Sequence, residues 1–525
     1  MKFFNTAGPV NTEDHYTLSP LVRINLEEIL SLIDQKKYFV LHAPRQTGKT
    51  SCLLALMNRL NQEGNYRCLY VNVEAAQAAR EDVAEAIHTI GDEMISCIND
   101  MEPERSLLNQ WLTLKQQNSP FQCLSELFKL WTQQSPCPTV LLLDEIDSLV
   151  GDTLISVLRQ IRSGYTKRPL SFPQSIILCG VRDVRDYRMR TDEGKTVITG
   201  GSAFNIKAES LRLGNFTQDE VQRLYEEHTQ ETGQVFTADA TQTAWDLTEG
   251  QPWLVNALAY EVCFKMKEGK NRQLKITAEM IQQARENLIL RRETHLDQLA
   301  DKLLESRVKN VINLLLTGSD PQSLPEDDIQ YVTDLGLIVR KPQLRIANPI
   351  YREIIPRTLT QSTQETITQQ TSWYVMPDGR LDTSKLLGAF QEFFREHSQS
   401  WLERFQYKEA GPQLLMQAFL QRIINGGGRI EREYGLGMKR TDLLLIWPFS
   451  GGQQKTVIEL KVPHRQSLEK VLAEGLQQTW NYMDISGTDD GHLVLFDKDP
   501  NKSWKDKIWH SAEACEGKTI HVWAM

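Results

Sequence analysis

Residues 38 to 63 read YFVLHAPRQTGKTSCLLALMNRLNQE, and no other stretch restricts the fold as much. A short apolar run of strand length passes into a loop of Ala43, Pro44, Arg45, Gln46, Thr47 and Gly48, and a helix-forming segment begins at Lys49. Consecutive backbone N–H groups and a helix N-terminus together make an anion cradle, so the pattern demands a strand, a loop and a helix in that order. Lys49 is then placed to reach the β and γ phosphates of a nucleotide, with the Thr50 hydroxyl, beside Ser51, on Mg²⁺. Ala43 stands where G-x-x-x-x-G-K-[ST] has its first glycine, a position that needs only a tight turn.

The surrounding sequence supplies a sheet for that loop. YFVLHA (38–43), CLYVNV (68–73), TVLLLDE (139–145) and SIILCG (175–180) are short apolar runs separated by longer amphipathic stretches. That alternation predicts a parallel sheet with crossover helices. The run TVLLLDEID delivers Asp144 to the mouth of the loop as a second Mg²⁺ partner and Glu145 beside it to polarise an attacking water. From about residue 210 the strand-like runs stop, and segments such as TQDEVQRLYEEHTQET, with a Thr cap, predict a small helical domain.

Length and composition bound the rest. At 525 residues the chain is too long for one core. We expect a phosphate-binding core over 1–209, a helical lid over 210–292, a winged-helix unit over 293–356, a Thr- and Gln-rich connector over 357–372 and a further α/β domain over 373–525. The helix of the winged unit that would meet DNA, PEDDIQYVTDLG, carries Glu326, Asp327, Asp328 and Asp334 and no Lys or Arg, so it reads as an internal packing or regulatory element. Eight cysteines without a CxxC pair argue for reduced core thiols, against a disulfide framework or a zinc site. No apolar stretch has the length of a membrane span and the first residues lack a secretion signal, so a cytoplasmic protein is expected. Net charge is −9; residues 373–525 hold 19 Lys and Arg against 20 Asp and Glu, which leaves −8 on the first 372. A polyanion is therefore least opposed by the C-terminal part.

With HAPRQTGKT, LLLDEID, ILCGVRDVRDY, TEGQPWLV and NPIYREIIPR in place, residues 10–356 resemble P-loop ATPases of the AAA+ and STAND type. The resemblance implies ATP as ligand, Arg182 as the polar sensor after the fourth strand, and Pro252 of Gly250-Gln251-Pro252 packed on adenine. It also implies an arginine finger, for which Arg162, Arg168 and Arg185 are candidates; a finger given in trans implies a homo-oligomer.

A second group of chemistry lies near the other end. In TVIELKV (456–462), strand alternation puts Glu459 and Lys461 on one face, and Asp442 opens the strand-like DLLLIW upstream. If the two strands are antiparallel neighbours, Asp442 meets Glu459, and two converging carboxylates call for a cation such as Mg²⁺ or Mn²⁺. A divalent ion activates water for phosphodiester hydrolysis, and Lys461 can orient it or neutralise the phosphate. A solvated cross-strand pair is the bland alternative.

RTD followed by IELK resembles the PD-(D/E)XK nuclease superfamily over about residues 375–500, with Thr441 in place of its proline. Gln478 and Tyr482 have the spacing of a Q-x-x-x-Y helix found in a subset of those enzymes. Glu409, before Gly411-Pro412, is the nearest match to the glutamate of their first helix. The resulting expectation is an ATP-driven switch or motor joined to a metal-dependent nuclease acting on DNA, of the kind associated with prokaryotic defence. The alternatives are an ATP-controlled signalling or nucleic-acid-binding protein that does not cut, and an ATPase with an inactive nuclease remnant.

Overall fold

In the computed structural model, the described residues are 1–183, 188–190, 197–199, 205–291, 299, 301–317, 324–366, 374–404, 411–424, 428–435, 440–463, 468–497, 499 and 502–525; the side chains of 105, 188–190, 197–199, 317, 360–366, 397–404, 422–424, 432–435 and 440–442 also lie outside the description. Two compact units emerge, residues 1–291 with 334–336, and residues 292–333 with 337–525.

The first unit begins with two short paired strands, β1 (Phe3–Phe4) and β2 (His15–Tyr16). Then come α1 (Leu26–Asp34), β3 (Tyr38–His42), α2 (Lys49–Glu63), β4 (Arg67–Asn72), α3 (Val83–Met101), α4 (Leu108–Gln117), α5 (Pro120–Gln134), β5 (Thr139–Asp144), α6 (Gly151–Ser163) and β6 (Ser175–Gly180). A small hairpin, β7 (Arg188–Arg190) and β8 (Val197–Thr199), precedes β9 (Lys207–Arg212). The main sheet has the order β4-β5-β6-β3-β9 and is parallel throughout.

Both faces of this sheet are covered, which is why its central strands are unbroken apolar runs. Leu141 and Leu143 pack into a core with Ile87, Trp111, Leu127, Trp131 and Leu158 of α3 to α6. Val140 and Leu142 pack on the other face with Ile33 of α1 and Cys52, Leu56 and Leu60 of α2. Strand β9 is a fifth strand beyond the four apolar runs read from the sequence. Its sequence, KAESLR, lies at the sheet edge with its residues half-buried or exposed, and so shows no apolar run.

Helices α7 (Gln218–Thr232), α8 (Ala238–Thr248), α9 (Pro252–Tyr260) and α10 (Ala278–Arg291) occupy the segment expected to be a lid. Thr217 and Glu220 cap α7 reciprocally, each side chain accepting from the other's backbone N–H. The ring of Phe4 in β1 sits among those of Tyr16, Tyr225, His228 and Phe236, so the first residues of the chain pack on the lid.

The second unit contains α11 (Ser306–Thr317), α12 (Glu326–Asp334), whose last residue groups with the first unit, and the antiparallel pair β10 (Ile338–Val339) and β11 (Arg345–Ile346). Asp328 and Glu326 of α12 are ion-paired with Arg307 and Arg340. Helix α13 (Pro349–Thr366) then runs well into the stretch expected to be a connector. Proline at the first helical position fits, and the ion pair between Glu353 and Arg357, one turn apart, supports the helix across Pro356.

After α14 (Thr383–Arg404) and α15 (Gly411–Ile424) come β12 (Arg429–Gly435), β13 (Arg440–Phe449), β14 (Gly452–Lys461), α16 (Leu468–Ser486), β15 (Gly491–Leu495), β16 (Trp509–Cys515) and β17 (Lys518–Ala524). They form one mixed sheet, β12-β13-β14-β15-β17-β16. Helix α16 covers one face through Val471 and Met483 against Leu444, Val457, Leu493 and Val522. The final hairpin was not legible in advance; β16 is an edge strand whose residues alternate between half-buried and exposed. All eight cysteines are free, and among the described residues no helix is long and apolar enough to cross a membrane.

Candidate functional site

The loop after β3 is held by its own polar groups. Ala43, fully buried in the core beside α2, donates its N–H to Gly180 O, so alanine serves where the motif has glycine. Thr47 Oγ1 donates to Pro44 O at 2.8 Å. Gln46 and Gly48 both have positive φ, 56° and 91°, which turns successive N–H groups inward. Lys49 is 5 % exposed, and its Nζ donates to the carbonyls of Ala43 and Pro44, each at 3.1 Å. Two of its three N–H groups are thus used, and one is left for an anion. Arg45 is exposed at the loop's tip.

Strand β5 brings Asp144 to the start of α2. Thr50 Oγ1 donates to Asp144 Oδ2 at 2.7 Å, and Tyr70 Oη donates to the same oxygen at 3.0 Å. Asp144 is fully buried, and its Oδ1 accepts the N–H of Glu145. A hydroxyl and a carboxylate side by side are hard oxygen donors, the chemistry that Mg²⁺ takes. Glu145 has a left-handed backbone, φ 58°. Burial raises its carboxyl pKa above the ordinary value, and Lys49 opposes that rise.

Beside the loop lies an open cleft. Gln46, Gly48 and Ser51 line it from the loop, Phe216 and Pro252 from the lid, and Thr6 and Gly8 from the N-terminal segment. Gly250 admits no side chain, since a Cβ there would stand 1.9 Å from Phe216 O. Trp253 Nε1 donates to Thr6 O at 2.9 Å and ties α9 to the cleft's N-terminal wall.

The remaining expectations divide. Arg182 follows β6 and is half-buried beside Asp183, whose carboxylate pairs with Lys207 at 2.5 Å. Arg168 is held within its own chain: it donates to Tyr165 O and Lys36 O, and its guanidinium lies 3.4 Å from the centre of the Tyr165 ring. That engagement speaks against a finger role for Arg168. Arg162 is exposed, and Arg185 lies outside the described residues. Sequence reasoning missed Tyr70, a polar tip inside an apolar strand, and Arg23, a single arginine in a short helical turn with no motif around it.

In the C-terminal sheet, β13 and β14 are antiparallel neighbours, and Asp442 stands directly opposite Glu459. A two-residue turn at 450–451 sets that register. Glu459 is fully buried and ion-paired with Lys461, itself 6 % exposed, so the solvated cross-strand pair does not apply. Gln478 and Tyr482 lie on α16, which packs on β14 and β15; the Oε1 of Gln478 is buried without a hydrogen-bond partner among the described residues. The side chain of Asp442 and the whole of Glu409 lie outside the description. Among the described residues, no group of three His, Cys, Asp or Glu side chains is close enough to hold a metal ion.

The sequence profile of the family described as "AAA-like domain" matches residues 23–355. Among solved structures, the chain is similar to a Walker-type ATPase of Pyrococcus abyssi at 15 % identity, covering 67 % of this chain and 99 % of that one with a TM-score of 0.44. It is also similar to Cdc6p from Pyrobaculum aerophilum, at 14 % identity over 65 % of this chain and 94 % of that one with a TM-score of 0.36. A third similarity is to the RuvB Holliday junction branch migration motor of Thermotoga maritima, at 12 % identity over 63 % and 95 % of the two chains, TM-score 0.32. No curated protein matches the chain.

Proposed function

This chain belongs to the AAA-like domain family, and we propose that its first unit binds and hydrolyses ATP with Mg²⁺ while its second unit carries a metal-dependent nuclease site acting on DNA. The observation that supports the first half is the 2.7 Å bond between Thr50 and Asp144 beside the buried Lys49. Thr50 and Asp144 would hold Mg²⁺, whose chemistry when bound would be to offset negative charge on the phosphates.

The chain's own residues supply the rest. Gly48, without a Cβ, lets backbone N–H groups approach the phosphates, and Lys49 adds a cation. Thr50 and Asp144 offer oxygen ligands, with Tyr70 fixing the carboxylate. Glu145 accepts the proton of the attacking water, and its raised pKa brings it closer to the range of an efficient base. Pro252 and Phe216 offer apolar surface for the base, and Arg182 is the proposed sensor of the γ-phosphate.

The nuclease half rests on the register of Asp442 with Glu459 and on the buried pair Glu459–Lys461. Two carboxylates at one end of a sheet are hard oxygen ligands for Mg²⁺ or Mn²⁺, and a lysine beside them suits a phosphodiester. Gln478 and Tyr482 would contact DNA or the lysine from α16. On this reading ATP state controls cleavage, in an assembly of several copies and in a setting of defence against foreign DNA.

Incubation of the purified protein with linear, circular and single-stranded DNA, with Mg²⁺ or Mn²⁺ and with or without ATP, tests it. Cleavage by wild type that is lost in Glu459→Gln supports the nuclease. Absence of cutting under every condition favours an ATP-controlled binding protein instead.

A further inference from the structure

One side chain in the first unit connects the phosphate loop to the lid without belonging to either. Arg23 Nη1 donates to Thr47 O at 2.5 Å, and Nη2 donates to Gly214 O at 2.7 Å. Its guanidinium also lies 4.5 Å from the centre of the Phe216 ring. Thr47 is in the loop, while Gly214 and Phe216 lie in the short stretch between β9 and α7 through which the chain passes from the sheet to the lid.

That stretch controls where the lid's proline stands. Phe216 N donates to Gly250 O at 2.8 Å, and Asn215 Nδ2 donates to Glu249 O at 3.0 Å. Pro252 and α9 follow directly. On the loop side the fit is equally close, for a Cβ at Gly48 would stand 2.7 Å from Arg23 Nη1. The glycine therefore leaves room for the arginine as well as for a left-handed turn.

The chemistry of the peptide between Thr47 and Gly48 gives the contact a direction. In a trans peptide the C=O and the following N–H point opposite ways, so the Gly48 N–H points away from the carbonyl that Arg23 holds. A cation on that carbonyl polarises the plane and strengthens the N–H as a donor. Any tilt of the plane toward a phosphate moves the carbonyl, and the rigid fork of the guanidinium passes that movement to Gly214.

We propose that Arg23 is a positioning residue that couples occupancy of the phosphate loop to the placement of the lid over the nucleotide. The inference rests on the nucleotide-binding reading above. Arg23 also lines the cleft, and the double variant below separates action through Gly214 and Phe216 from direct contact with the nucleotide.

The test is release of fluorescently labelled ADP, followed by stopped flow, from the full chain as wild type, Arg23→Lys, Phe216→Leu and the double variant. Lysine keeps the charge but replaces the rigid two-pronged fork with a single ammonium on a flexible stem, so release should accelerate roughly tenfold with the melting temperature nearly unchanged. Phe216→Leu should accelerate it as well, and the double variant should release no faster than Arg23→Lys alone. If Arg23→Lys fails to fold, Asn215→Ala carries the test, since it loses the bond to Glu249 O without touching the cleft: accelerated release supports the inference and release at the wild-type rate overturns it. Release from Arg23→Lys at the wild-type rate, or effects of the two substitutions that multiply, would overturn the inference alone. A wild type that binds no labelled ADP would overturn the nucleotide reading and this inference with it.

Discussion

Thr50 and Asp144, 94 residues apart in sequence, meet in a 2.7 Å hydrogen bond where α2 begins and β5 ends. The bond unites the two halves of one oxygen site. Removing the hydroxyl in Thr50→Ala leaves Asp144 with Tyr70 and takes away one proposed ligand of Mg²⁺, whereas Thr50→Ser keeps it. We expect phosphate release, titrated against Mg²⁺, to fall roughly 100-fold in Thr50→Ala and no more than a few-fold in Thr50→Ser.

Glu145 sets a prediction in pH. Its carboxyl pKa is raised by burial, so its ionised form is lost at higher pH than that of an ordinary glutamate as the solution is acidified. If Glu145 is the base, the rate of ATP hydrolysis should decline on the acid side with an inflection above 4.5, the ordinary glutamate value. An acid limb that persists unchanged in the residual activity of Glu145→Gln would assign the inflection to another group.

His42 predicts an acid-dependent stability. It is 9 % exposed, its Nδ1 has no hydrogen-bond partner among the described residues, and burial lowers its pKa from 6.5 to about 4. Asp183 opposes that lowering, while Arg212, Lys207 and Lys49 reinforce it. The unfolded chain therefore takes up the proton near pH 6.5 and the folded chain only near pH 4. Stability is complete above that window and falls by about 3 kcal/mol as pH drops through it. Denaturant midpoints at pH 7 and pH 5 should converge in His42→Gln relative to wild type; an equal acid loss in both proteins contradicts the assignment.

Much of the first unit was legible because strands buried on two faces must be apolar throughout, and the four runs at 38–43, 68–73, 139–145 and 175–180 are. The phosphate loop was legible because its backbone geometry restricts residue type locally. Strands β9 and β16 were not, since edge strands need no continuous apolar pattern. The opposition of Asp442 and Glu459 followed from treating two strand-like runs as a hairpin, while the complete burial of Glu459 did not, because alternation names a face and not what covers it. Arg23 was invisible for a similar reason: its partners are carbonyl oxygens, which any residue could supply.

The burial of Glu459 and Lys461 changes how the nuclease reading should be tested. Lys461→Met alone would leave a buried carboxylate without its ammonium and should destabilise the second unit by about 3–5 kcal/mol. Combining it with Glu459→Gln should recover most of that loss. A double variant that melts near wild type yet cuts no DNA separates chemistry from folding; one that cuts as well as wild type shows the pair to be structural.

The most direct measurement is steady-state release of phosphate from ATP by wild type, Lys49→Ala and Glu145→Gln, at saturating Mg²⁺ and matched fold by circular dichroism. We predict turnover by wild type, loss of both binding and turnover in Lys49→Ala, and retained binding without turnover in Glu145→Gln. Equal phosphate release by all three proteins would contradict the account.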